Sequence, residues 1–180
     1  MKKGKLYLVR HGESMGNVWP EAYRSDERNF LSPYGVMQAK ICGHYFKRMG
    51  LRFDHLYSSN LLRARQTMIT ILQEDDWKRP WTNLPSLNEV QKDNEDDITR
   101  VRDVFYNIFQ MWKKSDYTGN VLIVSHYHTM QVIFDNMPVD RKDIASHNGQ
   151  HVGNGQPFLW DPDKNWCIEM PDLTKIEDQH

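Results

Sequence analysis

The chain has 180 residues and a mass of 21.4 kDa, with 39% hydrophobic and 26% charged residues and a formal net charge of -1. That composition belongs to a globular protein able to bury its own core, and it excludes disordered and strongly basic nucleic-acid-binding classes. The near-neutral total conceals an asymmetry: residues 1–70 carry 12 Lys/Arg against 5 Asp/Glu, and residues 71–180 carry 11 against 19. A basic first half suits an anionic ligand, an acidic partner, or plain surface charge.

At roughly 150 residues per domain the length predicts one domain over 1–180, with 170–180 as a frayed acidic tail. No apolar run approaches the ~18 residues of a membrane span. Leu6–Val9, after the opening lysines, is too short for a signal h-region and reads as a first strand. Two cysteines, Cys42 and Cys167, make no disulfide framework, so a reducing cytoplasm is the expected location.

In chain order, Lys5–Val9 is predicted as a strand with Arg10-His11-Gly12 at its carboxyl end. Ser32-Pro33 reads as N-cap and first residue of a helix whose apolar face is Ala39, Cys42, Phe46 and Met49, stopped at Gly50. Phe53–Tyr57 is a second strand, and Leu61, Ala64, Met68, Ile71 and Leu72 face one side of a second helix. Residues 75–97 read as loop with room for one short strand. Ile98, Val101, Phe105, Ile108, Phe109 and Trp112 define a third helix. After the Gly119-Asn120 turn, Val121–Val124 is uniformly apolar, as a strand buried on both faces must be. A helix through Met130, Val132 and Ile133 ends before Pro138, residues 139–156 are polar loop, and Phe158–Trp160 with Trp166–Met170 form a closing hairpin. Alternating strands and helices predict an α/β fold with a mostly parallel sheet.

Ligands of open α/β sheets bind beyond the carboxyl ends of the strands. Arg10-His11, Ser58-Ser59 and Ser125-His126 all fall at such ends. A neutral His11 has nucleophilic capacity, although a lone histidine at a strand end is more often structural. Arg10 and Arg63 are of the type that clamps anions, with Arg63 one turn past Ser59 near a helix start; Arg65 points away to the surface. His126 can donate a hydrogen bond to an anion or serve as a satisfied core histidine.

These blocks together resemble the histidine phosphatase superfamily, the phosphoglycerate-mutase-like group. Leu8–Asn17 is similar to the family's opening signature, Leu31–Ala39 to its "L-[ST]-x-x-G-x-x-Q-A" helix start, and Tyr57–Thr67 to its "S-x-L-x-R-A-x-Q-T" block. Leu87-Asn88-Glu89 resembles its acidic segment and Val121–His126 the strand that ends in its second histidine; Asn154-Gly155 faintly echoes a late loop. The resemblance implies a three-layer α/β/α fold with a mostly parallel central sheet and a small cap. It implies that His11 takes the phosphoryl group from a small phosphorylated substrate. Arg10, Arg63 and His126 would surround that group with Asn17 as a further contact, and Glu89 would be the acid and then the base, with Glu13 as the fallback carboxylate. It implies no cofactor and no metal, since phosphoryl transfer needs positioning and charge stabilisation that these groups supply.

Two departures bear on this. Tyr127 stands where the family has Gly after the second histidine, which weakens phosphate binding if that position needs positive φ and leaves its N–H usable if it does not. The stretch between the helix at Thr67 and His126 is short, which favours a phosphatase over a mutase. The alternatives are a phosphoglycerate-mutase-type phosphotransferase and a catalytically weak phospho-ligand-binding protein, with nucleic-acid binding last. His126 with His128, and His147 with His151, have spacings that suggest zinc, but the first is better used on phosphate. His44 and His55 read as surface or helix-face residues. Trp19, Trp77, Trp81 and Trp160 read as core or cap, with Trp19 and Tyr23 also placed to line an entrance.

Overall fold

The computed structural model describes residues 3–74, 79–91, 94–138, 144–145, 152–164 and 166–169. The predicted tail, Trp77, His147, His151 and most of the 139–156 loop lie outside them.

β1 (Leu6–Arg10) leads to a one-turn helix α1 (Met15–Val18), a 3-10 turn at Asp26–Arg28 and the long α2 (Pro33–Arg48). β2 (His55–Ser59) and α3 (Leu62–Gln73) follow, then the short β3 (Thr82–Leu84) and a 3-10 turn at Pro85–Leu87. α4 (Glu95–Lys114), β4 (Val121–Ser125) and α5 (Tyr127–Asp135) complete the central part; β5 (Ile144–Ala145), β6 (Pro157–Asp161) and β7 (Trp166–Glu169) close it.

The strands form one sheet in the order β3-β2-β4-β1-β6-β7-β5. β1, β2, β3 and β4 pair in parallel, and β6 is antiparallel to both β1 and β7, so it alone runs against the others. Side chains alternate across this sheet. Leu6, Leu8, Val121, Ile123 and Phe158 meet α4 and α5 on one face. Tyr7, Val9, Leu122, Val124 and Leu159 meet α2 and α3 on the other. The expected three layers and mostly parallel sheet are therefore present.

The sequence signals for helix starts and stops act at the expected positions. Ser32 Oγ accepts from Gly35 N at 3.0 Å to start α2, and Gly50 ends it at φ 62°. The apolar face of α4 from Val101 to Trp112 is buried as predicted. The helix starts at Glu95, earlier than its apolar face suggests, because Asn94 Oδ1 accepts from Asp97 N at 3.1 Å and three acids occupy the first turn. β2 sits two residues later than expected: Phe53 is buried in the core before the strand begins. Of the tryptophans, Trp160 is core, Trp81 is half-buried, and Trp19 is exposed and belongs to no core. His44 is exposed on α2 and paired with Glu74, and His55 bonds the carbonyl of Thr118. No helix of the described residues is long and apolar enough to cross a membrane.

Candidate active site

Register brings the site together. β1 and β4 are aligned so that Arg10 lies opposite Ser125, which sets His11 and His126 side by side just past the two strand ends. Their ring centroids are 5.1 Å apart, and both side chains are buried. Gly12 is a glycine because of crowding, not because of positive φ: a Cβ there would lie 2.4 Å from Gly35 O at the start of α2. The turn after His11 is thereby pressed against α2, and Gly12 N donates to Thr67 Oγ1 on α3 at 3.0 Å.

The hydrogen bonds fix the His11 tautomer. Nδ1 lies 2.7 Å from Gly12 O, and a carbonyl only accepts, so Nδ1 carries the proton. Nε2 then holds a lone pair, and Arg63 Nε donates to it at 3.2 Å. Burial, with Arg63 and Arg10 nearby, holds the His11 pKa well below 6.5, so the imidazole is neutral.

His126 is set by a second chain. Asn88 Oδ1 accepts from Asn60 N at 3.0 Å and from Ser59 Oγ at 2.8 Å. Having given its proton away, Ser59 Oγ accepts from His126 Nε2 at 2.7 Å. His126 Nδ1 therefore faces the site; it is buried, makes no hydrogen bond, and lies 3.5 Å from Glu89 Oε2. Burial, then His11 and the arginines Arg63, Arg10 and Arg100, depress its pKa as well.

Glu89 sits across from this ring. Its Oε1 accepts from His128 N in the first turn of α5 at 3.0 Å and is 3.3 Å from His128 Nδ1. Burial raises its pKa above 4.5, against the lowering pull of the His128 N–H, Arg63, His128 and Arg10. A carboxyl that holds its proton more tightly than usual beside two cations is suited to proton donation.

The arginines complete the cup. Arg10 Nη1 donates to Val152 O at 2.7 Å, its guanidinium lies 5.4 Å from the centre of the Tyr127 ring, and its buried Nε has no hydrogen-bond partner. Arg63 Nη1 is 3.3 Å from Asp26 Oδ1, and both carboxylate oxygens of Asp26 accept from Leu62 N at the start of α3. Two orphaned buried polar atoms, Arg10 Nε and His126 Nδ1, beside a neutral imidazole and a second guanidinium make a binding place for a tetrahedral oxyanion. His11, Glu89 and His126 also present ligand atoms within 4.8 Å of one another, a spacing that suits a metal. The residues fit one poorly: Arg63 already occupies the His11 lone pair, and two guanidiniums oppose a cation.

The structure brings Arg10, His11, Arg63, Glu89, His126 and Tyr127 into one place. Tyr127 opens α5, and positive φ among described non-glycine residues occurs only at Asp116 and Tyr117, so this substitution for glycine costs no backbone strain. Asn17 is exposed, and its Oδ1 accepts from Ser14 N and Ser14 Oγ; only its amide NH2 remains for an anion. Glu13 is committed to Ser32 Oγ at 2.6 Å and does not join. Asn154 and Gly155 do belong here: Asn154 Nδ2 donates to His11 O at 2.8 Å and Gly155 N to Arg10 O at 2.9 Å. Asp26 and the Ser59–Asn88 chain escape sequence reading, because a single polar residue with a distant partner has no periodicity to reveal it.

Stability should reflect the buried neutral histidines. In the unfolded chain both protonate near 6.5, whereas the folded protein resists. Their contribution is complete above pH 6.5 and is lost as pH falls toward the folded values, at up to about 1.4 kcal/mol per pH unit for each. Urea titrations between pH 7.5 and 5.5 should show this decline, with a shallower slope in His126→Gln. Equal midpoints across that window would contradict the neutral assignment.

A family model of the histidine phosphatase superfamily (branch 1) matches residues 6–100, more than half of the chain. A broad-specificity phosphatase of Saccharomyces cerevisiae is 35% identical over 69 residues, covering 38% of this chain and 30% of its own length. A 2,3-bisphosphoglycerate-dependent phosphoglycerate mutase of Lactobacillus acidophilus is 41% identical over 87 residues, covering 47% and 37%. The matched region thus spans about a third of these curated relatives. Among solved structures, a phosphoglycerate mutase from Bacillus anthracis superposes with a TM-score of 0.72 at 18% identity, covering 96% of this chain and 95% of that one. The protein histidine phosphatase SixA complexed with tungstate gives 0.67 at 15% identity, covering 92% and 96%. Those two likenesses confirm the fold; the family match over residues 6–100 establishes that the chain belongs to the histidine phosphatase superfamily.

Proposed function

We propose that the protein is a metal-independent phosphomonoester hydrolase of the cytoplasm, built as a single domain and working through a phosphohistidine on His11. The observation that carries this reading is the tautomer: with Nδ1–H held by Gly12 O, the Nε2 lone pair is the one aimed into the cup. Arg10, Arg63 and His126 bind the phosphoryl oxygens, with Asn17 and the Tyr127 N–H as further contacts. On binding, Arg63 Nε transfers its hydrogen bond from Nε2 to the phosphate and frees the lone pair. The dianion also makes protonation of His126 Nδ1 favourable, so that this ring donates.

Nε2 then forms a bond to phosphorus as the bond to the ester oxygen breaks, and Glu89 gives that oxygen its proton. The carboxylate left on Glu89 takes a proton from water as the water attacks the phosphohistidine. Inorganic phosphate departs and Nε2 regains its lone pair. The test is rapid quenching with a radiolabelled phosphomonoester, followed by mapping of the label. Acid-labile, base-stable phosphate on the peptide holding His11 is expected; label elsewhere, or turnover with none, would sink the reading.

A mutase reading has one specific observation behind it, the 41% identity to a phosphoglycerate mutase over 87 residues. Phosphoryl transfer from the labelled enzyme to a phosphoglycerate in preference to water would support it.

A further inference from the structure

The segment Pro85–Gln91, which carries Glu89, is tied to the body of the protein on both sides of that residue. One side chain, Arg100, reaches three of its carbonyls. Arg100, from the second turn of α4, donates through Nη1 to Ser86 O at 2.8 Å, Pro85 O at 3.2 Å and Asn88 O at 3.3 Å. Its Nη2 reaches Asn88 O at 3.4 Å. The other edge of the guanidinium holds Asp97, with Nη2 at 2.7 Å and Nε at 3.2 Å from Oδ1. Asp97 Oδ2 in turn accepts from Gln91 N at 3.0 Å, two residues beyond Glu89.

The neighbouring elements close the remaining gaps. Ser125 Oγ donates to Leu87 O at 2.8 Å, Thr129 Oγ1 donates to Asn88 O at 2.9 Å, and Val90 N donates to Thr129 Oγ1 at 3.2 Å. An i,i+3 Asp–Arg pair on a helix surface is ordinarily worth little. Here the pair spans the acid-bearing segment and fixes its backbone before and after the acid.

We propose that Arg100 is a positioning residue for Glu89, holding its segment so that the carboxyl reaches the leaving oxygen. This rests on the reading of Glu89 as the acid. Arginine suits the task because its planar fork serves three carbonyls and a carboxylate at once, whereas the single ammonium of lysine cannot. A misplacement of about 1 Å in an acid can cost on the order of 100-fold.

The experiment compares wild type, Arg100→Lys and Arg100→Ala on an aryl phosphate with a good leaving group and on an alkyl phosphate with a poor one. The aryl ester needs little protonation, so only the alkyl ester reports on the acid. Arg100→Lys is expected to lower kcat/KM, which reports only the phosphorylation step, by roughly 10–100-fold on the alkyl ester and by no more than about 3-fold on the aryl ester, and to cost nothing further in a Glu89→Gln background. Equal losses on both esters, or a full additional loss in the Glu89→Gln background, would overturn the proposal. Arg100→Lys decides the matter if the alanine variant does not fold. Wild type that hydrolyses neither ester overturns the phosphatase reading itself, and the positioning role with it.

Discussion

Replacing His11 with alanine is expected to lower phosphomonoester turnover by on the order of 10⁴-fold or more, with phosphate affinity largely retained. The separation of the two effects follows from the geometry. His11 is neutral in the free protein, so its loss removes no charge from the cup. Arg10, Arg63 and His126 are held by Val152 O, Asp26 and Ser59, none of which depends on the His11 ring. Arg63 Nε loses its present acceptor and becomes free for the anion. The variant should therefore bind a phosphomonoester without consuming it and carry no label after rapid quenching. Isothermal titration with inorganic phosphate, beside kcat on an aryl phosphate, checks both parts. Near wild-type turnover would refute the nucleophile. Loss of phosphate binding together with activity would show that the ring's part is structural.

Much of the fold was legible because its signals are local and repetitive. The apolar run Val121–Val124 can only sit between two layers, and it pairs with β1 on one side and β2 on the other. The Ser32-Pro33 start and Gly50 stop of α2 are each set by a single residue's chemistry. What local signals do not carry is tertiary capping. Leu61 is the N-cap of α3 and caps nothing with its own side chain; Asp26, 36 residues before Leu62, supplies the carboxylate that accepts from Leu62 N. No window of sequence around residue 61 holds that information.

The site divides in the same way. His11 and His126 could be read because each ends an apolar strand, and the sheet register then makes them neighbours. The charge asymmetry pointed in the right direction for a limited reason: Arg10 and Arg63 reach the site, while Lys47, Arg48 and Arg52 are exposed. The arginine that grips the Glu89 segment comes from the acidic half, where a charge count predicts nothing of the kind. Glu89 was placed by resemblance alone. Its raised pKa needs burial beside α5, which becomes visible only when three distant segments are assembled.

Glu89→Gln gives the second large effect, and its size depends on pH. Glutamine keeps an oxygen for the His128 N–H but has no proton to give. On alkyl phosphates the loss should reach about 10²–10⁴-fold, the usual worth of a positioned acid, and it should shrink as the leaving group improves. In the wild type, burial keeps Glu89 protonated above its usual 4.5, and that form disappears as pH rises through the raised value. His11 supplies the opposite limb, since its lone pair is lost only as pH falls through a value well below 6.5. The profile of kcat/KM for an alkyl ester should thus fall toward alkaline pH as Glu89 loses its proton, and that alkaline limb should be missing from the variant. The second half-reaction also needs Glu89, as base for water, so the variant given an aryl phosphate should show a burst of phenol and accumulate phosphoenzyme. Identical slopes of log kcat/KM against leaving-group pKa in the two proteins would assign the proton donor elsewhere, and His128, 3.3 Å from the same carboxylate, would be the next residue to replace.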